Sequence, residues 1–179
     1  MKDGLDILLS RLRNQKGKAF WQLLKSITLQ HEFTLIENGI YSAIGSENPD
    51  WDHLLDAARK AVNFGYTVYI LPNPRGSKTA DLIFERKGIY RLYELKTIIG
   101  KNSVGNRLKE AVSQSGRVIL NMNVLYNPRK LAMEIKDVFT STREIVEILV
   151  LIRGKRISVN RQTALKRSFD SDFRKALTK

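Results

Sequence analysis

A predicted β-hairpin constrains the fold of this chain most strongly, because its strands are apolar on both faces, as buried strands are. We predict the first strand over residues 79–84 and the second over residues 89–98, with a turn at residues 85–88 that ends in glycine. Strand side chains alternate between faces, so Glu94 and Lys96 project from the same face, about 7 Å apart along the strand. Unpaired charge is costly on a buried strand, which favours a functional role for these two residues.

A third charged residue, Asp81, falls on the first strand of this hairpin. In the matching register it lies across from Glu94 and Lys96, which brings two carboxylates and an ammonium together. Mg²⁺ and Mn²⁺ favour carboxylate oxygens combined with water and substrate phosphate. A neighbouring lysine can orient or deprotonate the attacking water, or stabilise charge on the phosphate. We therefore predict Asp81 and Glu94 as metal ligands and Lys96 as a catalytic residue; the alternative is that Glu94 and Lys96 form a salt bridge on a solvated face.

The charge of the chain indicates a polyanionic partner. Its 179 residues include 31 Lys and Arg against 18 Asp and Glu, which gives a formal net charge of +13. Such an excess is typical of proteins that bind nucleic acid, although a basic surface can also meet an acidic protein. The chain has no cysteine and only two histidines, which excludes disulfides and zinc sites built from clusters of Cys or His. No apolar run approaches membrane-spanning length, so we expect a soluble protein.

The remainder of the sequence alternates predicted helices and strands, which favours an α/β fold with a mixed central β-sheet flanked by helices. Hydrophobic spacing in the first 29 residues predicts helices, and we divide the chain into an N-terminal helical arm over residues 1–45 and a catalytic domain over residues 46–179. The remaining predicted helices cover residues 51–62, 104–115 and 128–139, and the remaining strands cover residues 66–71, 117–122, 144–152 and 156–159.

Two further groups of residues are predicted to act on a phosphate-bearing substrate. The helix after the hairpin would pack beside the metal site, where Arg107 could hold a phosphate and Gln114 could bind substrate or orient Lys96. The polar loop before that helix contributes Lys101 and Ser103, and Ser103 would cap a helix N-terminus that can receive a phosphate. The alternative is that these are surface residues of an amphipathic helix. The basic C-terminal segment is predicted to line a polyanion groove with Arg153, Arg156 and Arg161.

The pattern of an Asp, a gap of 12 residues and then Glu-x-Lys resembles the catalytic hairpin of the PD-(D/E)XK nuclease superfamily. The chain departs from that pattern at Ala80, where the superfamily name has proline. A longer series of motifs, over about residues 50–165, resembles the nuclease domains at the C-termini of CdiA proteins, the toxins of contact-dependent growth inhibition. The matching pieces are GYTV at 65–68 with LP at 71–72, ADLIF at 80–84, YELKT at 93–97, KNSVGNRL at 101–108, QS at 114–115 with RVILNM at 117–122, and ISVNR at 157–161.

This resemblance implies a restriction-endonuclease-like fold and a toxin domain that cuts tRNA, as such domains typically do, or DNA. In the superfamily the helix before the hairpin often supplies another acid; Asp56 is the favoured candidate and Asp52 the second, unless both only solvate the helix. Asn106, beside Arg107, would contribute to substrate choice. The resemblance also implies a dedicated immunity protein over the basic cleft, and action in the cytoplasm of the producing or target bacterial cell, with delivery as part of a larger secreted toxin.

Our leading hypothesis from the sequence is a metal-dependent nuclease that hydrolyses phosphodiester bonds of tRNA, with Mg²⁺ as its ion and Mn²⁺ or Zn²⁺ as alternatives. Three other hypotheses remain open. The chain could be a DNA endonuclease of a mobile element. It could be a metal-independent toxin ribonuclease that uses a lysine, an arginine and the 2′-hydroxyl. It could also be a noncatalytic nucleic-acid-binding module in which Asp81, Glu94 and Lys96 form a structural ion pair.

Overall fold

The computed structural model describes residues 33–71, 80–101 and 104–178. Within these ranges the chain forms one mixed eight-stranded β-sheet and five helices, which confirms the predicted mixed α/β architecture. The strands are β1 (Thr34–Glu37), β2 (Ile40–Ser42), β3 (Thr67–Ile70), β4 (Leu82–Arg86), β5 (Ile89–Ile98), β6 (Arg117–Met122), β7 (Glu147–Ile152) and β8 (Lys155–Asn160). The helices are α1 (Trp51–Val62), α2 (Val104–Ala111), α3 (Pro128–Ser141), α4 (Arg161–Ala164) and α5 (Phe169–Thr178).

The N-terminal part of the chain joins the sheet earlier than the predicted domain division implies. Strands β1 and β2, which fall within the predicted arm, pair with each other, and β2 pairs with β3. The helices predicted for the first 29 residues lie outside the described residues. None of the helices in the described ranges is long and apolar enough to cross a membrane.

The eight strands lie in the sheet in chain order. The pairs β2–β3, β5–β6 and β6–β7 are parallel, and the other four neighbouring pairs are antiparallel. Each parallel pair is connected through a helix, namely α1, α2 and α3 in turn, as a parallel connection requires. Strand β5 therefore sits near the middle of the sheet, with the antiparallel β4 on one side and the parallel β6 on the other.

The two faces of the sheet carry separate apolar cores, which we call the α1 face and the α2 face after the helices that cover them. On the α1 face, Tyr93, Ile119 and Leu149 pack with the buried side of α1. On the α2 face, side chains of the same strands pack with α2, α3 and α5; they include Ile98 and Leu120. Because side chains alternate along β5, Glu94 and Lys96 belong to the α2 face.

The central hairpin has a tighter turn than the sequence predicts. Leu82 pairs with Tyr93 and Arg86 with Ile89, so Lys87 and Gly88 alone form the turn. Both have positive φ angles, 53° and 75°, as a two-residue turn of the primed type requires. Lysine gives no signal for this conformation, which Asn and Asp adopt more readily, and the prediction therefore assigned a four-residue turn.

The C-terminal segment is structured by apolar contacts as well as by its charges. Its residues form β8, α4 and α5, and Phe169 and Phe173 are buried against the core of the α2 face. Helices α4 and α5 were not predicted, because the basic residues of this segment were interpreted as a binding surface. The predicted strand at residues 117–122 matches β6, whereas the helix predicted for residues 104–115 ends at residue 111 and continues as a turn.

Candidate active site

Asp81 lies directly opposite Glu94 in the hairpin. Its N–H donates to the carbonyl of Tyr93 at 3.0 Å, which continues the register of β4 and β5 by one residue. Its carboxylate Oδ2 accepts a 2.8 Å hydrogen bond from the N–H of Leu95. Backbone contacts on both sides therefore fix Asp81 at the start of β4, in the position relative to Glu94 that the sequence spacing predicts.

Lys96 joins this pair to the turn that follows α2. Its Nζ donates to Glu94 Oε1 at 2.8 Å and to Gln114 Oε1 at 2.7 Å. The Glu94 side chain is only 4% exposed and that of Lys96 12%. Gln114 is held in turn by the bond from its N–H to the carbonyl of Ala111 at 2.9 Å. We call these four residues, Asp81, Glu94, Lys96 and Gln114, the Asp81 cluster.

When both of its carboxyl groups are ionised, the Asp81 cluster holds two negative charges and one ammonium. Burial, followed by the nearby Glu94 carboxylate, raises the pKa of Asp81 to about 7. Burial also raises the pKa of Glu94, although Lys96 opposes this effect. Glu94 Oε2 is buried and receives no hydrogen bond from a donor among the described residues, and the Asp81 carboxyl lies close enough to share a proton with Glu94. Such a pair is stabilised by a shared proton or by an added cation.

The donor set of the Asp81 cluster fits a hard divalent ion with an open coordination sphere. Asp81 and Glu94 could supply one or two carboxylate oxygens, and Mg²⁺ sites commonly leave the remaining positions to water and substrate phosphate. Among residues 33–71, 80–101 and 104–178, no group of three or more His, Cys, Asp or Glu could enclose a metal. The two carboxyl groups of the Asp81 cluster alone do not make up the four-ligand set of a closed structural Zn²⁺ site.

Asp56 lies away from the Asp81 cluster, on the α1 face. Its Oδ2 accepts hydrogen bonds from Lys60 Nζ at 2.9 Å, Asn121 Nδ2 at 2.7 Å and Asn123 Nδ2 at 3.0 Å. Asn121 pairs with Thr97 of β5 and so points to the face opposite Glu94 and Lys96. Burial acts to raise the pKa of Asp56, but these hydrogen bonds outweigh burial and lower it. The structure thus places Asp56 in a satisfied polar network rather than beside Asp81.

Three of the residues predicted to bind nucleic acid after β5, Lys101, Asn106 and Arg107, are exposed to solvent. Lys101 ends the described part of that loop, Ser103 lies outside the described residues, and Asn106 and Arg107 are on the outer side of α2. Arg107 forms a salt bridge with Glu110 at 3.1 Å. These positions lie on the segment that leads from β5 to Gln114, and their role in binding stays a prediction.

The three arginines predicted for a C-terminal groove do not lie together. Arg153 is exposed in the β7–β8 turn, with a positive φ of 46°. Arg156, at the start of β8, donates to the hydroxyl of Tyr66 on the α1 face. Arg161 follows the other end of β8, where it donates to the carbonyl of Thr142. Arg156 and Arg161 are therefore at opposite ends of β8, and the groove itself stays a prediction.

Sequence analysis missed a second buried carboxylate, Glu147, on the α1 face. It accepts hydrogen bonds from Ser158 Oγ at 2.8 Å, Tyr93 Oη at 3.1 Å and Arg91 Nη1 at 3.2 Å. Arg117 Nε also lies 3.3 Å from its Oε2. An isolated acid at the start of the apolar strand EILVLI was a signal for this site, but its partners come from three other strands and could not be paired from the sequence.

No protein-family model and no curated protein matches this chain. Among solved structures, a chain of the CdiA-CT/CdiI toxin and immunity complex from Burkholderia pseudomallei is similar over 73% of this chain and 96% of its own length. The two chains are 14% identical and superpose with a TM-score of 0.44. Because these values do not establish a shared fold, the similarity supports no functional conclusion.

Proposed function

We propose that this chain is a metal-dependent nuclease that hydrolyses phosphodiester bonds at the Asp81 cluster. The observation that carries the proposal is the pairing of the half-buried Asp81 carboxyl and the buried Glu94 carboxylate beside the Lys96 ammonium, which donates to Glu94 and Gln114. Two neighbouring carboxyl groups favour an added cation, and the positive net charge of the chain attracts a polyanion. The restriction-endonuclease-like fold expected from the sequence motifs is part of this proposal.

Each residue of the cluster has a separate role in the proposed reaction. Asp81 and Glu94 would hold Mg²⁺ or Mn²⁺, and the bound ion would supply polarisation of the phosphate and a lower pKa for the attacking water. Lys96 orients the water or stabilises charge that develops on the phosphate oxygens. Gln114 is a positioning residue, because its hydrogen bond to Nζ fixes the direction of the Lys96 ammonium. Arg107, exposed on α2, binds a neighbouring phosphate of the substrate.

We further propose tRNA as the substrate and a toxin domain as the biological setting. Both rest on the sequence motifs that resemble CdiA C-terminal nuclease domains, above all YELKT with its preceding ADLIF. In that setting, a dedicated immunity protein would neutralise the domain by covering its basic surface. DNA is the alternative substrate, since the Asp81 cluster recognises the phosphodiester and not the sugar.

The test is cleavage of total tRNA and of duplex DNA, each with Mg²⁺, with Mn²⁺ and with EDTA. The variants Asp81→Asn and Lys96→Met are expected to cut neither substrate, whereas Asp56→Asn, which changes a carboxylate of the α1 face, is expected to cut like the unmodified protein. Cleavage that persists in EDTA would replace the proposal with a metal-independent ribonuclease. Full cleavage by Asp81→Asn would remove Asp81 from the mechanism.

One observation favours a different function, a noncatalytic nucleic-acid-binding module. The Lys96 ammonium already has two good acceptors, so the Glu94–Lys96 pair can be read as a structural ion pair. Binding of tRNA or DNA without cleavage in either Mg²⁺ or Mn²⁺ would establish this function in place of the nuclease.

A further inference from the structure

A basic and aromatic pocket lies on the α1 face, opposite the side of the sheet that carries the Asp81 cluster. Its volume is about 310 Å³, near the lower end for small-ligand sites. The rings of Tyr66, Phe84 and Tyr93 contribute to its lining. The cations around it are Arg86, Lys87, Arg91 and Arg156. We call it the Tyr66 pocket.

The cations of the Tyr66 pocket are only partly neutralised. Within the described part of the chain, Arg91 is paired with Glu147, but no carboxylate forms a salt bridge with Arg86, Lys87 or Arg156. Arg86 and Lys87 are exposed, whereas Arg156 is half-buried. Positive charges that converge without a counterion repel one another, so an anion bound among them would be stabilised.

Two guanidinium groups converge on one aromatic ring in this pocket. The Cζ atoms of Arg86 and Arg156 lie 5.4 Å and 5.6 Å from the centroid of the Tyr66 ring. Arg156 also donates to the Tyr66 hydroxyl, which fixes the side chain across the curved sheet between β8 and the start of β3. The Tyr66 ring packs against Phe84 with a centroid separation of 5.2 Å, so the aromatic surface is held in place before a ligand binds.

The turn beside the Tyr66 pocket has a lysine at a position where its backbone conformation favours other residues. Lys87 has a φ of 53°, a left-handed conformation that Asn or Gly adopts more readily. A residue that breaks a local rule of this kind often serves a function. Here, the lysine adds a fourth positive charge at the exposed edge of the pocket.

We propose that the Tyr66 pocket binds one unpaired nucleotide of a polynucleotide chain, with its base against the half-buried Tyr66 ring, which the buried Phe84 supports, and its phosphate among the guanidinium groups. Guanidinium groups bind phosphate through paired hydrogen bonds and also stack on planar rings. Aromatic platforms in basic grooves bind single-stranded nucleic acid by stacking its bases. An acidic protein surface would use the cations but would leave the aromatic rings without a role, so the combination favours a nucleotide.

The position of the pocket gives it a role distinct from cleavage. Tyr93, which lines the pocket, directly precedes Glu94 on β5, so the two sites lie back to back on opposite faces of the sheet. The bound nucleotide is therefore separated from the Asp81 cluster by the sheet and is not the one that is cut. Only the statement that this polynucleotide is also the substrate rests on the proposed function.

The test is fluorescence anisotropy with a labelled single-stranded RNA octamer, in EDTA and about 0.1 M salt, using the full chain with Asp81→Asn as the background so that nothing is cut. Lys87→Asn removes one pocket cation while it preserves the left-handed turn, and Lys136→Asn removes an exposed cation of α3 as the matched control. We expect Lys87→Asn and Arg156→Gln to weaken binding by about fivefold and Tyr66→Leu by about tenfold, with Lys136→Asn changing it less than about twofold.

Two outcomes would overturn the pocket assignment. One is that Lys87→Asn, Arg156→Gln and Tyr66→Leu all bind like the Lys136→Asn control. The other is that the charge variants weaken binding while Tyr66→Leu does not, which would show a purely electrostatic surface of the kind an acidic protein also uses. Tyr66→Phe keeps the ring and removes only the hydroxyl, so it should bind within about twofold of the background and guards against misfolding of the leucine variant.

Failure of this inference is distinguishable from failure of the proposed nuclease. A chain with Asp81 intact that binds the octamer through Tyr66 but cuts no nucleic acid would refute the nuclease and support the pocket. A chain that cuts nucleic acid while Tyr66→Leu binds normally would refute the pocket and support the nuclease.

Discussion

Two buried glutamates on opposite faces of the sheet have contrasting surroundings. Glu94 is 3% exposed and Glu147 is 8% exposed, so burial alone does not separate them. Glu147 accepts hydrogen bonds from Ser158, Tyr93 and Arg91, and the Arg117 guanidinium lies nearby. Glu94 accepts from Lys96 and faces the carboxyl of Asp81, with which it can share a proton. Glu147 is thus surrounded by donors, whereas Glu94 lies beside a second carboxyl group.

The comparison shows how a buried charge that serves the fold differs from one that is available for chemistry. A structural carboxylate is surrounded by donors, since an unpaired buried charge is strongly destabilising. A functional carboxylate can remain incompletely satisfied, because the missing partner is supplied by an ion or a substrate. Substitutions at the two sites should therefore have opposite effects on stability and on activity.

The largest expected difference between the two faces is in catalysis. Lys96→Met should lower the rate of phosphodiester cleavage by about 10³-fold or more, because it removes the only ammonium of the Asp81 cluster. Glu147→Gln should keep cleavage per folded molecule within a few fold, since Glu147 lies on the other face. The measurement is a single-turnover cleavage assay, corrected for folded protein by circular dichroism. Equal losses of cleavage rate in Lys96→Met and Glu147→Gln would contradict the proposed difference between the two faces.

The second expected effect is on stability at Glu147. Glu147→Gln should lower the free energy of unfolding by about 2–4 kcal/mol, because Arg91 and Arg117 would lose the carboxylate that they share. The measurement is urea unfolding at pH 7, followed by circular dichroism. A loss below about 0.5 kcal/mol would mean that these arginines are sufficiently solvated without Glu147.

Asp81→Asn should have the opposite effect on stability and raise the free energy of unfolding. The pKa of Asp81 is raised from 3.8 to about 7, so the ionised carboxyl is disfavoured in the folded state, and stability falls as the pH rises through that interval. Asn cannot ionise and can still accept the hydrogen bond from Leu95. In EDTA, the variant should be more stable than the unmodified protein by about 1–2 kcal/mol at pH 7, and this advantage should shrink towards pH 4. If Asp81→Asn instead lowers the free energy of unfolding at pH 7, the negative charge of Asp81 and Glu94 is already balanced by their surroundings.

Gln114→Ala should have the smallest effect on the cleavage rate and on stability. It tests whether Gln114 acts by orienting Lys96 and not by contacting the substrate. Lys96 would lose one of its two side-chain acceptors and keep Glu94. We expect the cleavage rate to fall by about tenfold while the free energy of unfolding changes by less than about 1 kcal/mol. Gln114→Glu restores an acceptor for the Lys96 ammonium and should recover part of the rate; no recovery would argue against a role through Lys96.

The sequence predicted those parts of the site that depend on local spacing. Alternation along β5 placed Glu94 and Lys96 on one face, and a hairpin register brought Asp81 opposite Glu94. The expectation that Gln114 could orient Lys96 also agrees with the observed hydrogen bond, because a helix between parallel strands must return close to the sheet. The catalytic roles of these residues and the bound ion remain predictions.

Features that depend on contacts between distant elements were not predictable in the same way. Asp56 was favoured because the helix before the hairpin often supplies an acid in the superfamily that the hairpin resembles, but the sheet face that α1 covers is decided by the packing of the whole α1 core. The Tyr66 pocket combines residues from the start of β3, the central hairpin and β8, which come together only because the sheet curves. No local periodicity carries such information.

The most direct test of the contrast between Glu94 and Glu147 is isothermal titration of Mn²⁺ into the full chain without nucleic acid. We predict one ion bound per chain in the unmodified protein, loss of that binding in Glu94→Gln and in Asp81→Asn, and unchanged binding in Glu147→Gln. Binding of Mn²⁺ that is equal in the unmodified protein and in Glu94→Gln, or no binding in the unmodified protein, would contradict the account.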